Sequence, residues 1–380
     1  MRSRPPPPLV APRSHVATDI AASPPPPDAP ASAADPPPLP LRVWRHHLFV
    51  KVRKSAVVVF VVANATFFLA RAMPGDPIDV MAGRLTQGGM SMAEARVIAT
   101  NSLAFDPDAP LWRQWWDFFV GLVTLDLGNT ITRPAVGVAE AIAAYLPWTL
   151  FSIGVGTVIS IVLGLSLGMV MAYRRNRFLD HALSVAASVL GAVPNYLIAM
   201  LLVVGGGLYL GWFDPVALRG TVSPGVSPGF TAEFVGDAFY HAGLPILTYV
   251  LAIIGTWMLV MKASTTEVLS EDYVTVARAR GLRDGRIALA YVGRNAVLPL
   301  VAQIAISFGT LVGGAVFVER VLVYKGVGGL LLDAVNYRDY PLLQGLLIIV
   351  TACVVAANLV ADLLYGRLDP RISDQGAATP

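Results

Sequence analysis

The side chains able to do chemistry are few in this chain, and their spacing excludes more than it permits. A phosphate-cradling loop needs Gly-x-x-x-x-Gly-Lys-Ser/Thr, with the lysine directly after a glycine. The four lysines are Lys51, Lys54, Lys262 and Lys325, and none follows a glycine. Hydrolysis of ATP by that route is excluded, and no cofactor is expected on this chain. A zinc protease would carry His-Glu-x-x-His on a helix. No such run occurs, and His15, His46, His47, His181 and His241 all lie outside the long uncharged stretches. One cysteine, Cys353, excludes an internal disulfide and any multi-cysteine metal site. No Asp or Glu falls inside an uncharged stretch, which leaves a carboxylate proton relay nothing to run on. The asparagines inside those stretches, Asn64, Asn195 and Asn358, read as contacts between helices. Catalytic and metal sites are expected to be absent.

The elements that must hold the remaining candidates follow from composition. Of 380 residues, 55% are hydrophobic and 14% charged, and the mean hydropathy is +0.62. So few charges cannot cover a water-soluble globule of this size. A net charge of +3 is too small for a nucleic-acid binder. The chain reads as an all-α, polytopic protein whose solvent is the lipid bilayer.

Charge-free windows locate the spans, because ionisable groups are costly at the bilayer centre. Six stand out: 55–70, 141–173, 182–213, 242–261, 295–318 and 340–361. Five clear the minimum of roughly 17 residues a helix needs to cross. The first is extended by Lys54 and Arg71, which can snorkel from its ends. With both termini inside, the inner segments carry 19 basic and 11 acidic residues, and the outer ones 9 and 14. The excess of Lys and Arg within places the N- and C-termini in the cytoplasm. Trp148 and Trp212 at span borders agree with an interfacial belt.

Residues 1–40 differ from everything after them. Pro5–Pro8, Pro24–Pro27 and Pro36–Pro38 alternate with Ala, Ser and isolated charges, so a disordered cytoplasmic extension is expected. Residues 41–373 then form the membrane domain, and 374–380 a cytoplasmic tail. In the long outer segment, 71–140, Asp108 can cap a helix with Pro110 in its first turn. Leu111, Trp112, Trp115, Trp116, Phe119 and Leu122 recur at helical spacing, with Arg113, Gln114 and Asp117 opposite. That pattern suits a helix at the membrane surface or one packed on neighbouring spans.

The inner loop 262–294 is the most informative stretch. Ser270 can cap a helix, and Glu271 and Asp272 place negative charge at its positive end. Arg278 and Arg280 fall in the last turn, and Gly281 is able to stop the helix at φ > 0. Leu269, Tyr273, Val276 and Ala277 share an apolar face. A second helix can start at Asp284 and run to Pro299. The short helix suits either a covering partner or the bundle's own surface.

The run Glu271-Asp272-Tyr273-Val274-Thr275-Val276-Ala277-Arg278-Ala279-Arg280-Gly281-Leu282, followed by Arg294-Asn295-Ala296-Val297-Leu298-Pro299, resembles the cytoplasmic loop of permease subunits in binding-protein-dependent ABC importers. The dipeptide/oligopeptide/nickel group is the nearest in pattern. Further matches run in order from Pro74-Gly75-Asp76-Pro77 and Asp126-Leu127-Gly128 to Pro194-Asn195-Tyr196. They continue with Gly313–Glu319, Arg338-Asp339-Tyr340-Pro341, Gln344-Gly345 and Leu368-Asp369-Pro370-Arg371.

The resemblance implies the type I permease fold with six spans in the bacterial inner membrane, importing dipeptides or oligopeptides. It implies two cytoplasmic ATPase subunits that use the ATP, with residues 271–282 as the helix coupled to one of them. It also implies a second homologous permease subunit, as a heterodimer, and an extracytoplasmic solute-binding protein that delivers near 319–344. Pro194, Asn195 and Tyr196 are candidates for the translocation pathway. The competing reading, an ion-gradient transporter, needs an inverted repeat or buried carboxylates.

Overall fold

The computed structural model describes residues 47–72, 77–102, 109–133 and 135–368; side chains at some helical positions, 302 and 305–314 among them, lie outside that description. The chain divides into units 1–50 and 51–380. Of the first unit only 47–50 are described, as the beginning of a helix. The proline-rich extension, the 374–380 tail, Asp108, Pro74-Gly75-Asp76 and Asp369-Pro370-Arg371 all fall outside the described residues.

Helices make the fold. In chain order they are α1 (His47–Ala72), α2 (Pro77–Gln87), α3 (Met92–Ser102), α4 (Leu111–Thr124), α5 (Val138–Tyr173), α6 (Phe178–Ala192) and α7 (Asn195–Leu201). There follow α8 (Ala232–Leu269), α9 (Asp272–Ala279), α10 (Asp284–Arg286), α11 (Arg294–Leu322), α12 (Val327–Asn336) and α13 (Tyr340–Leu368). Two π-helical stretches, Leu202–Tyr209 and Ile287–Gly293, prolong α7 and α10. Among the described residues the only extended pairing is an isolated bridge between Asn129 and Gly137.

Among the described residues, four helices are long and apolar enough to cross a membrane: Phe49–Ala72, Val138–Tyr173, Ala232–Leu269 and Tyr340–Leu359. A fifth crossing would be the pair Phe178–Ala192 and Asn195–Tyr209, which is bent by 105°. The 29-residue α11 covers the 295–318 window. The third window, 182–213, is therefore a broken span. Proline disfavours α geometry in the residue before it, and Val193 is extended at φ −86°, ψ 124°.

The helices also outrun their windows, because charged residues counted as loop form helical turns. α8 starts at Ala232 rather than Ala242, capped by Thr231 Oγ1, which accepts from the Phe234 amide at 3.2 Å. It holds Asp237 and His241 within the helix. Glu319, assigned to an outer loop, lies inside α11 and is 1% exposed.

The core forms where α5 meets α8. Ser152, Gly156, Ser160, Gly164 and Gly168 recur every fourth residue of α5 and are buried. A Cβ at Gly156 would come within 2.9 Å of Tyr249 Cβ, and one at Gly164 would collide with Trp257 Cβ. Small residues let helix backbones approach where lipid offers no hydrophobic drive to associate.

α4 lies against α1. Trp115 Nε1 donates to Asn64 Oδ1 at 3.0 Å, and Arg71 Nε donates to Gln114 Oε1 at 3.2 Å. Phe60 meets Phe119 and Phe67 meets Phe118, with ring centroids 5.4 and 5.5 Å apart. Gln114, expected on the polar side, is buried, since Arg71 and the Ala109 carbonyl satisfy it. Trp112 and Trp116 remain exposed on the other side. Pro110 is the N-cap of α4 rather than a first-turn residue.

Candidate functional site

Sequence spacing singles out the loop between α8 and α11, and the structure gives that loop a defined shape. Ser270 does not start the short helix. It terminates α8, where its Oγ donates to the Glu267 carbonyl at 2.7 Å. Glu271 is the N-cap of α9 at φ −72°, ψ 144°, without a side-chain capping bond. Asp272 occupies the first turn and Arg278 the last, each stabilised by the helix dipole.

α9 stops in a Schellman motif. The Leu282 amide donates to the Ala277 carbonyl at 3.3 Å, and the Gly281 amide to the Arg278 carbonyl at 2.9 Å. Gly281 has φ +70°, a left-handed conformation in which a Cβ is strained. Leu282 closes the motif by packing beside Ala277 in a small cluster with Val274, Ile287 and Val292.

Eight residues give α9 a length of about 12 Å. It does not bury the face expected from Leu269, Tyr273, Val276 and Ala277. Val274 and Ala277 point into the protein, at 0% and 3% exposure, while Val276 is 51% exposed. Tyr273 is 39% exposed and accepts at its hydroxyl from Asn295 Nδ2 at 3.0 Å. Asp272, Arg278, Ala279 and Arg280 are also exposed. One side of α9 is seated on its own chain, and the other presents an apolar residue among charges. α10 does start at Asp284 as expected, but the chain continues through a π-helical stretch into α11, past Pro299.

Pro194, Asn195 and Tyr196 form the start of α7, at the break. Asn195 Oδ1 accepts from the Tyr196 amide at 2.8 Å. The Tyr196 ring lies 5.9 Å from that of Phe317 in α11. The structure does not bring these three residues together with residues 271–282.

Another region of the bundle holds groups that the sequence reading passed over. Glu319 Oε1 accepts from Thr149 Oγ1 of α5 at 2.5 Å. Its Oε2 accepts from the Gly328 and Gly329 amides at 2.7 and 3.2 Å, in the first turn of α12. Thr149 Oγ1 in turn accepts from the Val327 amide at 2.8 Å. A carboxylate at a helix N-terminus is favoured by the dipole and by the free amides there. Burial and the nearby Glu319 carboxylate push the Tyr324 phenol up, so it stays neutral. Asp339 repeats the device: it is fully buried and accepts from the Thr132 amide and hydroxyl at 2.9 Å and from the Leu342 amide at 3.2 Å. Both acids belong to runs noted only as family matches. The cue for each was a carboxylate just ahead of a helix: Glu319 before Gly328 across a turn, and Asp339 directly before α13.

Long apolar helices around a small-residue seam, joined by a loop that exposes one side of a short helix, describe a multi-pass membrane protein. Residues 164–374 match the family model "Binding-protein-dependent transport system inner membrane component". The chain belongs to this family. It is 33% identical over 332 residues to a protein named peptide permease in Brucella suis biovar 1, covering 87% of this chain and 99% of that one. It is 32% identical over 317 residues to the glutathione transport system permease protein GsiC of Escherichia coli K12, covering 83% and 94%. The chain is thus a permease subunit of an ABC importer, working with a binding protein and an ATPase.

Proposed function

We propose that this subunit forms half of a pathway for short peptides and is driven by ATP hydrolysed on partner subunits. The names of the relatives, peptide permease and glutathione permease, support the substrate class. The partners are a second, homologous permease in a heterodimer, two cytoplasmic ATPases, and an extracytoplasmic binding protein that delivers near residues 319–344. No ATP and no other cofactor is used on this chain, which is not itself an enzyme. The N- and C-termini face the cytoplasm, a reading supported by the excess of Lys and Arg in the segments on that side.

One observation carries the mechanism: α9 is fixed to its own chain by Val274, Ala277 and Leu282 while its opposite side is exposed. Residues 271–282 seat that side in a groove of an ATPase. Closure of the ATPase pair moves α8 and α11, and the pathway near Pro194, Asn195 and Tyr196 changes from inward-open to outward-open. Such a switch requires that each nucleotide state favour one conformation, because equal binding shifts nothing.

Gly281 aims the helix. We expect Gly281→Val to abolish ATP-driven uptake of trialanine while the protein still inserts. Normal uptake by that variant refutes the role.

A further inference from the structure

A push on the Gly281 loop must reach the break at Pro194, which lies on a different helix. An ion pair between a buried carboxylate and a part-buried lysine joins the two helices concerned. Asp180, in the first turn of α6, is 2% exposed, and its Oδ1 lies 2.5 Å from Lys262 Nζ of α8. Lys262 Nζ also donates to Ser184 Oγ, one turn along α6, at 3.0 Å. The Asn176 amide donates to Asp180 Oδ2 at 3.1 Å, which fixes the α5–α6 turn to the same carboxylate. Asn176 holds φ +64° there.

The position of the pair matters. Lys262 stands seven residues before the end of α8, at roughly 10 Å along the axis from the start of the Gly281 loop. Farther along, the backbones of α6 and α8 touch, since a Cβ at Gly255 would collide with the Ala187 carbonyl. α6 is therefore held to α8 at two points about two turns apart, and it ends at Ala192, next to the break. Stability alone does not call for charges here. Burying the Asp180 carboxylate is costly even with Lys262 beside it, and well-packed apolar residues in place of such pairs are often as stable.

We propose that Asp180 and Lys262 are positioning residues that carry movement of the Gly281 loop from α8 into α6, and so open and close the chain at Pro194. The proposal rests on the reading that an ATPase drives the loop. Lys262 reaches both Asp180 and Ser184, so rotation of α8 drags α6 instead of sliding past it.

The test uses the assembled importer in proteoliposomes, with its ATPases and binding protein. Two quantities are read: stimulation of ATP hydrolysis by the binding protein, and trialanine imported per ATP. Asp180→Asn and Lys262→Met are each expected to keep unstimulated hydrolysis and to lose roughly tenfold in trialanine per ATP, a coupling change of ordinary size. Single variants with the wild-type ratio overturn the proposal, whatever their total rate. If a single variant does not assemble, Asp180→Leu with Lys262→Met removes both charges without orphaning one. That pair is expected to assemble uncoupled, and wild-type coupling in it overturns the link. Absence of binding-protein stimulation in the wild-type importer would instead sink the ATPase-driven reading itself.

Discussion

Two regions of this bundle, the Glu319 cluster and the α9 loop, treat charge in opposite ways. In the first, acids are buried and spent on backbone amides and hydroxyls of the same chain: Glu319 on Thr149, Gly328 and Gly329, Asp339 on Thr132 and Leu342. In the second, Asp272, Arg278 and Arg280 flank α9 in the open, and an apolar Val276 lies among them. The first arrangement fixes helices to one another and leaves nothing to offer a partner. The second fixes a short helix on one side only and keeps the other for contact. Damage in the first region should therefore show as instability, and damage in the second as lost activity in a stable protein.

The largest effect on stability is expected from Glu319→Ala. It leaves a hydroxyl and two amides without their acceptor and should cost about 3–5 kcal/mol, since each unsatisfied buried donor costs roughly 1–3 kcal/mol. Thermal unfolding in detergent measures this, and Glu319→Gln, which keeps the acceptor oxygen, should lose clearly less. Next comes Asp339→Ala, which removes the cap of α13 and the tie to Thr132, at about 1–3 kcal/mol. An unchanged unfolding temperature in either variant breaks the contrast between the two regions.

Gly281→Val should cost less stability, about 1–2 kcal/mol for a Cβ in the left-handed region, while uptake is lost. The smallest stability effect is expected for Val276→Ser, within about 0.5 kcal/mol as for most exposed positions. Its association with the ATPase, measured by co-purification, should nevertheless weaken. Stability losses as large as those of Glu319→Ala at Gly281 or Val276 would erase the distinction.

Much of this was legible in the sequence, for identifiable reasons. Charge-free windows locate helices because the cost of burying an ion in lipid acts on every residue of a span. Gly281 was legible as a helix stop because few residues tolerate φ +70°. Window edges were not, since Glu319 and Asp180 are buried at helix ends where fixed donors satisfy them. A count of charges sees the carboxylate and not the amide that neutralises it. The face of α9 was misassigned because eight residues make barely two turns. Val274 and Val276 are equally apolar, and only the Ile287–Val292 surface decides between them. The four-residue repeat of small side chains on α5 was present in the sequence as a packing signal and marks the seam with α8.

The most direct measurement is a crosslink from α9. With the native Cys353 changed to alanine, a cysteine introduced by Val276→Cys is treated with a short thiol-reactive crosslinker in the assembled importer. We expect a product with the ATPase subunit, and its yield should change when ATP is bound. A crosslinker that never joins the two, or an impermeant thiol reagent that labels Val276→Cys from outside intact cells, would contradict the account.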